Sequence, residues 1–527
     1  MLKKNPPIAA QNELFQVRLE TIIDSRHELV KIAALVDWDD LAADLSGFYC
    51  ADNGRPGSSI RLMTGLCFLK DIKGISDEEL CATWCENPYF QHFCGETFFQ
   101  HRFPVEPPSL SIFRKRIGEK GMERLFGETI KLGLQTGTIS KRDLQQVTID
   151  TTVQEKAVHF PTDVRLCHTA REDLVSRARE YGVPLRQSYV RKSKKAVFMA
   201  NRYIAARQMK RARKKIKEVR NYLGRVMRNI ETAVKDGQAL PPEFEVAVGK
   251  ARIVHHQTLR PKAEEKLYSW HAPEVECIAK GKAHKKYEFG CKASYTTTNK
   301  SNFVVGAMGL HGKPYDGHTL RKVLSQTTRL TGITPAEAQV DLGYRGHDMK
   351  DGDTEIILAR AKRGITPAKR KRQKRRNAIE PIIGHLKNDR KVGARNWLKG
   401  KLGDKINVIA MAIGFNLRKI LKKIFLWLSE MLLLLFVPKD RCVRMAFIRA
   451  DYLSPDDDVN TVASEYFSHE FTTLEPHLPN NVDKILDIGC GLGVINIFFH
   501  EHYNNNEKYY MLDRSDITMD TYNIEDA

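Results

Sequence analysis

No run of this chain is apolar for long enough to cross a bilayer. The longest such stretch, Ile424 to Val437, falls short of the roughly 20 residues a spanning helix needs and carries Glu430 inside it. A buried helix is expected there, and no membrane partner. Cysteine is sparse: ten thiols lie singly along 527 residues, which excludes a disulfide framework. Cys81 and Cys85 stand four apart with Cys94 following, but no second CxxC or His pair completes four zinc ligands. His159, His168, His255 and His256 have no metal spacing either. The thiols are expected to be buried and apolar. No apolar signal region follows Met1-Leu-Lys-Lys, so a reducing, bacterial-type cytosol in association with the nucleoid is the expected location.

Acid is the scarcer charge. Asp and Glu number 64 against 85 Lys and Arg, leaving +21, which favours a polyanionic partner. The deficit is uneven: residues 445–527 hold 16 acidic and 4 basic residues, net −12, so residues 1–444 carry +33. With 42% hydrophobic and 28% charged residues, the chain can bury a core, which excludes wholesale disorder and a fibre. Its length predicts two or three domains.

Residues 10–135 read as helical, with a loop at 53–57 and a capping box, Ser76 with Glu79, opening a helix through Cys85. Pro104, Pro107 and Pro108 break that pattern, and a further helix with a basic side starts near Ser109. The β-branched run 145–153 reads as a strand with Asp150 inside it. Residues 165–270 turn helical and very basic, notably KRARKKIKEVR at 210–220. Strand signals resume at 286–295 and 302–308, so the helices look like an insertion within a sheet domain. A helix from about Gly317 then leads to a strand at 337–342. The basic stretch 369–376 precedes NAIEPIIGHLK at 377–387. Strands followed by helices fit an α/β sheet domain.

Asp150 and Asp341 fall at or near strand ends, and Glu380 falls where the next helix begins. Hard divalent cations prefer carboxylate oxygens, and two such ions held about 3.5–4 Å apart activate a nucleophile and stabilise the leaving oxygen of a phosphodiester. Taken singly, a strand-end aspartate is more often a turn or cap former.

Nine ordered blocks carry a family resemblance: GRPGSSIRLM (54–63), GISDEEL (74–80), ENPYFQHFCG (86–95), TIDTT (148–152), KAHKKYEFG (282–290), DGHTL (316–320), VDLGYRGH (340–347), EPIIGHLK (380–387) and INVIAMAIGFNL (406–417). Through them residues 45–425 resemble the insertion-sequence transposases of the IS-five group, Asp-Asp-Glu enzymes with an RNase-H-like catalytic fold. The resemblance implies Asp150, Asp341 and Glu380 as the catalytic triad, holding two Mg²⁺ or Mn²⁺ ions. It also implies DNA contacts from Arg376 and Lys387. Seven helical residues advance about two turns, so Lys387 can share the face of Glu380. Pro381 suits a first helical position, which would leave Arg376 before the helix. Gln373 stands where related groups often have tyrosine. Arg345 either packs its loop or holds a phosphate bidentately. The run 369–376 is either a solvated linker or a phosphate-binding surface.

Near the end, residues 484–496 (KILDIGCGLGVIN), followed by YYMLD at 509–513, resemble the first βαβ unit of class I S-adenosylmethionine-dependent methyltransferases. That resemblance implies vestigial cofactor positions at Asp487, Gly489, Gly491, Gly493 and Asp513. About 80 residues cannot enclose the cofactor in that family's manner, so S-adenosylmethionine binding is not expected.

The expected fold is thus α/β. A helical DNA-end-binding domain (1–140) precedes an RNase-H-like mixed-sheet catalytic domain (141–430) with a helical insertion at about 165–270. A junction (431–444) and a partial Rossmann-like βαβ tail (445–527) follow. The expected function is metal-dependent cleavage of double-stranded DNA at element terminal repeats and strand transfer into target DNA, by a homodimer. The alternatives are a catalytically inactive DNA-binding relic and a methyltransferase with a DNA-targeting arm.

Overall fold

A computed structural model describes residues 17–50, 57–260, 262–279, 285–349, 352–359, 366–389 and 395–436. In the tail it describes 484–491, 494–503, 506–512 and 520–522, with side chains described as far as residue 425. The chain divides into two compact units, 1–426 and 427–527. The expected helical and sheet domains both lie mainly in the first.

That unit opens with helices α1 (Glu28–Leu35), α2 (Trp38–Ser46), α3 (Ile60–Lys73), α4 (Asp77–Glu86), α5 (Pro88–Phe93) and α6 (Pro107–Gln135). Their starts are written locally. Asp37 accepts from the Asp40 N–H, Ser76 from Glu79 and Asn87 from Phe90, while Pro88 sits where a missing N–H costs nothing. Helix α3 is buried on nearly every side, Leu62, Leu66, Phe68 and Leu69 included. Asp77 is tied to Lys70 and, at 2.6 Å, to the buried Arg114 of α6. Burial alone would raise the Asp77 carboxyl, but these two cations outweigh it and hold the group below the usual carboxylate range.

Strand β1 (Gln146–Glu155) leads into four insertion helices, α7 (Asp163–Glu180), α8 (Val190–Ala205), α9 (Met209–Lys235) and α10 (Pro242–Leu259). These share a core of their own, centred on Leu174, Leu223, Ile230 and Phe244. The sheet resumes with β2 (Glu276–Ala279), β3 (Tyr287–Thr298) and β4 (Val304–Leu310). Helix α11 (Leu320–Thr331), strands β5 (Glu337–Val340) and β6 (Glu355–Leu358), and helices α12 (Pro367–Arg375), α13 (Ile379–Asn388) and α14 (Gly400–Phe436) complete the series. The strand order is β2-β3-β1-β5-β6, with β4 also on β3. Strands β1 and β3 are antiparallel, whereas β1, β5 and β6 run parallel. Glu155 and Glu276 both pair with Gly290, on its two edges, so the insertion leaves and re-enters the sheet across one strand.

The INVIAMAIGFNL block is the buried middle of α14. Its Asn416 accepts from the Val304 N–H and donates to the Val304 carbonyl, closing backbone groups of β4 that a further strand would otherwise take. Gly414 lets α14 touch α3: a Cβ there would stand 2.2 Å from the Asp71 carbonyl oxygen. No described helix is long and apolar enough to cross a membrane. Cys81 and Cys85 are half-buried rather than buried, while Cys67 is fully enclosed and burial pushes its thiol up to about 12.

In the second unit, β7 (Lys484–Gly491), β8 (Val494–Tyr503), β9 (Asn506–Leu512) and β10 (Asp520–Tyr522) form an antiparallel sheet in the order β10-β9-β8-β7. The expected βαβ unit is not what forms. Asp487, Gly489 and Gly491 lie on β7, and Gly491 pairs with Val494 at the head of a second strand instead of opening a helix. The physical reason is local: VINIFFHEHY is rich in β-branched and aromatic residues, which favour a pleated strand. Gly493 and Asp513 lie outside the described residues. Among the described residues, no helix follows β7, where the expected βαβ unit would place one.

Candidate functional site

The run VTIDTTV alternates along β1, which puts Thr148, Asp150 and Thr152 on one face and Ile149, Thr151 and Val153 on the other. Thr148 is level with Gln339 of parallel β5. The pairing ends there; Asp150 stands two residues further along β1, and Asp341 follows the last residue of β5. Both residues therefore come at the same end of two neighbouring strands, which lie about 4.8 Å apart where they pair. The Asp150 Oδ1 accepts from the Thr151 N–H at 2.7 Å. Asp341 is 51% exposed and stands 3.7 Å from the Arg376 guanidinium.

Glu380 is bracketed from both sides. Upstream, Asn299 Nδ2 donates both to the Arg372 carbonyl (3.2 Å) and to Thr148 Oγ1 (3.1 Å). Downstream, Lys387 Nζ donates to Thr152 Oγ1 at 2.7 Å. Residues 372 and 387 are therefore pinned at the levels of Thr148 and Thr152. Glu380 lies in the segment between these two ties, on the first turn of α13. It is exposed, while Ile379, Ile382 and Leu386 turn inward. Arg376 precedes α13 in a 3-10 turn, as expected. Pro381 is the third residue of α13 rather than the first, tolerated because first-turn N–H groups have no intrahelical acceptor.

The opposite face of β1 holds Asp316 and Lys292, which the sequence assigned no role, and Tyr344, expected as a loop packing contact. Asp316, from the DGHTL block, accepts from Thr151 Oγ1 and from Lys292 Nζ, each at 2.9 Å. Tyr344 is buried against this group. Burial pushes its phenol far up, and the Asp150 and Asp316 charges add to the shift. Its hydroxyl lies against Thr151 of β1 and Ser294 of β3. Arg345 is exposed, and its carbonyl accepts from the Tyr315 hydroxyl at 2.6 Å. Lys292 carried no signal in the sequence, since only β3–β1 pairing brings it here.

Around the carboxylates the charge is positive. The run 369–376 is a helix rather than a linker, and its cations divide by role. Lys369 and Arg372 are tied to Glu355 and Glu337, and Arg375 donates to the carbonyls of Asn299 and Lys300. Arg370, Lys371 and Lys374 are exposed and form no ion pair among the described residues. On the insertion, Lys210, Arg213, Lys214 and Lys217 are likewise exposed.

Residues 17–116 match the family model of a transposase domain (DUF772). An uncharacterized protein, ORF8 in the nfe locus of Rhizobium meliloti, is 44% identical over 207 residues, 39% of this chain and 100% of that protein. The chain is a transposase-family protein. No solved structure matches it. Membership implies DNA binding and a DNA-processing enzyme. The family match covers helices α1–α5 and the start of α6, so β1, β5 and α13 of this transposase-family protein lie beyond it. What the carboxylates do must be argued from their geometry.

Proposed function

We propose that the chain is an Asp-Asp-Glu transposase that cleaves DNA at the ends of its element and joins the 3′ ends to target DNA. One observation supports the reading: Asp150 and Asp341 both follow the paired part of β1 and β5 at the same end, and the segment that carries Glu380 is tied to β1 at Thr152 and, through Asn299, at Thr148. A parallel β1–β5 pair flanked by antiparallel β3, with helices following, is consistent with an RNase-H-like core.

Three carboxylates offer only oxygen donors, which suits two Mg²⁺ or Mn²⁺ ions. Bound there, such ions would activate water or a 3′-hydroxyl and offset charge on the leaving oxygen. The remaining work belongs to the chain. Arg376 and Lys387 flank Glu380 and would hold phosphates on either side of the scissile bond. Arg345, exposed after Asp341, would contact the strand beyond. The exposed cations of α12 and of the insertion would carry duplex DNA across this face, binding that weakens steeply with salt. Concerted joining of two ends favours a homodimer on DNA.

The test is a Mg²⁺-dependent cleavage assay on supercoiled plasmid carrying the gene with its native flanks, wild type against Glu380→Ala. Breaks at fixed flanking positions with the wild type alone are expected. Equal cutting by Glu380→Ala would overturn the triad. Binding of the flanks without cutting by either protein would leave a DNA-binding relic.

A further inference from the structure

A second polar cluster lies where the end of β1, strand β3, the end of β4 and the start of α14 meet. Cys291 pairs with Gln154, four residues beyond Asp150, or about 13 Å along the strand. The cluster is thus separate from the three carboxylates. Among the described residues its charges do not balance. Glu274, Glu276 and Asp404 are buried or nearly so, and the ammonium among them belongs to Lys156, 2.8 Å from Glu274 and 2.6 Å from Asp404.

Asp404 is 2% exposed. Its Oδ1 accepts from Lys156 and from Asn396, each at 2.6 Å. Its Oδ2 has no hydrogen-bond partner among the described residues and stands 3.4 Å from His311 Nε2. His311 Nδ1 lies 3.5 Å from Glu276 Oε1, at the outer limit of a hydrogen bond. A neutral imidazole has a single N–H to give. Between two carboxylates it can satisfy one and must turn a lone pair on the other. The fully buried Cys291 thiol completes the group: one ligand atom from each of Cys291, His311 and Asp404 lies within 4.8 Å of the others.

A cation at the centre resolves every one of these mismatches. Tetrahedral ligands bonded at about 2.0–2.3 Å sit about 3.3–3.7 Å apart, and the His311–Asp404 separation is already 3.4 Å. Metal on Nε2 fixes the remaining proton on Nδ1, aimed at Glu276, the carboxylate support usual for a ligating histidine. Asp404 then binds through Oδ2 while Oδ1 stays with Lys156 and Asn396. One sulfur, one nitrogen and one oxygen donor suit Zn²⁺ and not Mg²⁺.

We propose that Cys291, His311 and Asp404 bind one Zn²⁺-class ion that clasps β3 and the end of β4 to α14. The test uses the full chain, stripped with chelator and then loaded with Zn²⁺ by equilibrium dialysis or with Co²⁺ for spectroscopy. Expected are one tightly held zinc per chain and a sulfur-to-cobalt charge-transfer band, lost in Cys291→Ser and kept in Asp341→Asn. Glu276→Gln, which removes no ligand, lowers zinc affinity roughly 10–100-fold. The proposal fails if the wild type shows no cobalt–thiolate band, if the band survives in Cys291→Ser, or if folded Glu276→Gln holds zinc as tightly as the wild type. His311 would then be an imidazolium bridging two acids.

Discussion

Lys387 donates to the Thr152 hydroxyl at 2.7 Å and so fixes the glutamate-bearing helix to the strand that bears Asp150. A hydrogen bond from a charged donor is worth about 1.5–3 kcal/mol, and part of that holds Glu380 in place. Lys387→Ala is therefore expected to slow cleavage roughly 10–100-fold. Thr152→Val, which keeps the lysine for DNA, is expected to act in the same direction but less. Equal rates for Thr152→Val and wild type in a single-turnover nicking assay would mean that the contact does not position Glu380.

Asp341→Asn removes the carboxylate that follows β5 while leaving the basic helices intact. Cleavage is expected to fall by about three orders of magnitude or more, matching the several kcal/mol a bridging cation supplies. End binding measured by gel shift is expected to change less than twofold. Retained nicking would remove Asp341 from the triad.

Arg370, Lys371 and Lys374 are exposed on α12 without ion pairs among the described residues. Replacing all three with alanine is expected to flatten the slope of log affinity against log salt by about 3, near one per lost phosphate contact. Fluorescence anisotropy on labelled duplex across a salt series measures this directly. An unchanged slope would place the DNA elsewhere.

Asp77 lies between Lys70 and the buried Arg114. Removing one partner of such a pair typically costs about 3–5 kcal/mol, and the residual exposure puts Asp77→Ala at the lower end, about 3 kcal/mol. Because the folded carboxyl is held below its unfolded value, its contribution is complete above about pH 4 and is lost as pH falls through the lower folded value. Urea unfolding of wild type and Asp77→Ala at pH 7 and at pH 3 checks both claims. The gap between the two proteins should narrow in acid.

Strand β1 was legible because β-branched residues crowd 147–153 and no helical period competes. Strands β2 and β6, with four residues each, were not; β5 is as short but was legible within the longer run 337–342. The α13 start was misplaced by two residues since α12 and a 3-10 turn run directly into it, so Pro381 marks the first turn and not the first residue. In the tail, the glycine-rich segment expected as the turn of a βαβ unit has Gly489 and Gly491 at the end of a strand, because glycine permits either and the residues after it decide. The Cys291, His311 and Asp404 cluster left no trace in spacing. Its members come from three elements, and only antiparallel pairing and the docking of α14 assemble them.

The four insertion helices have their own core, and their two ends flank a single strand at Gly290, a gap of about 10 Å or two strand spacings. Such a segment is a cassette. Replacing residues 156–275 with a short linker that spans that gap is expected to leave the β1–β3 pairing intact.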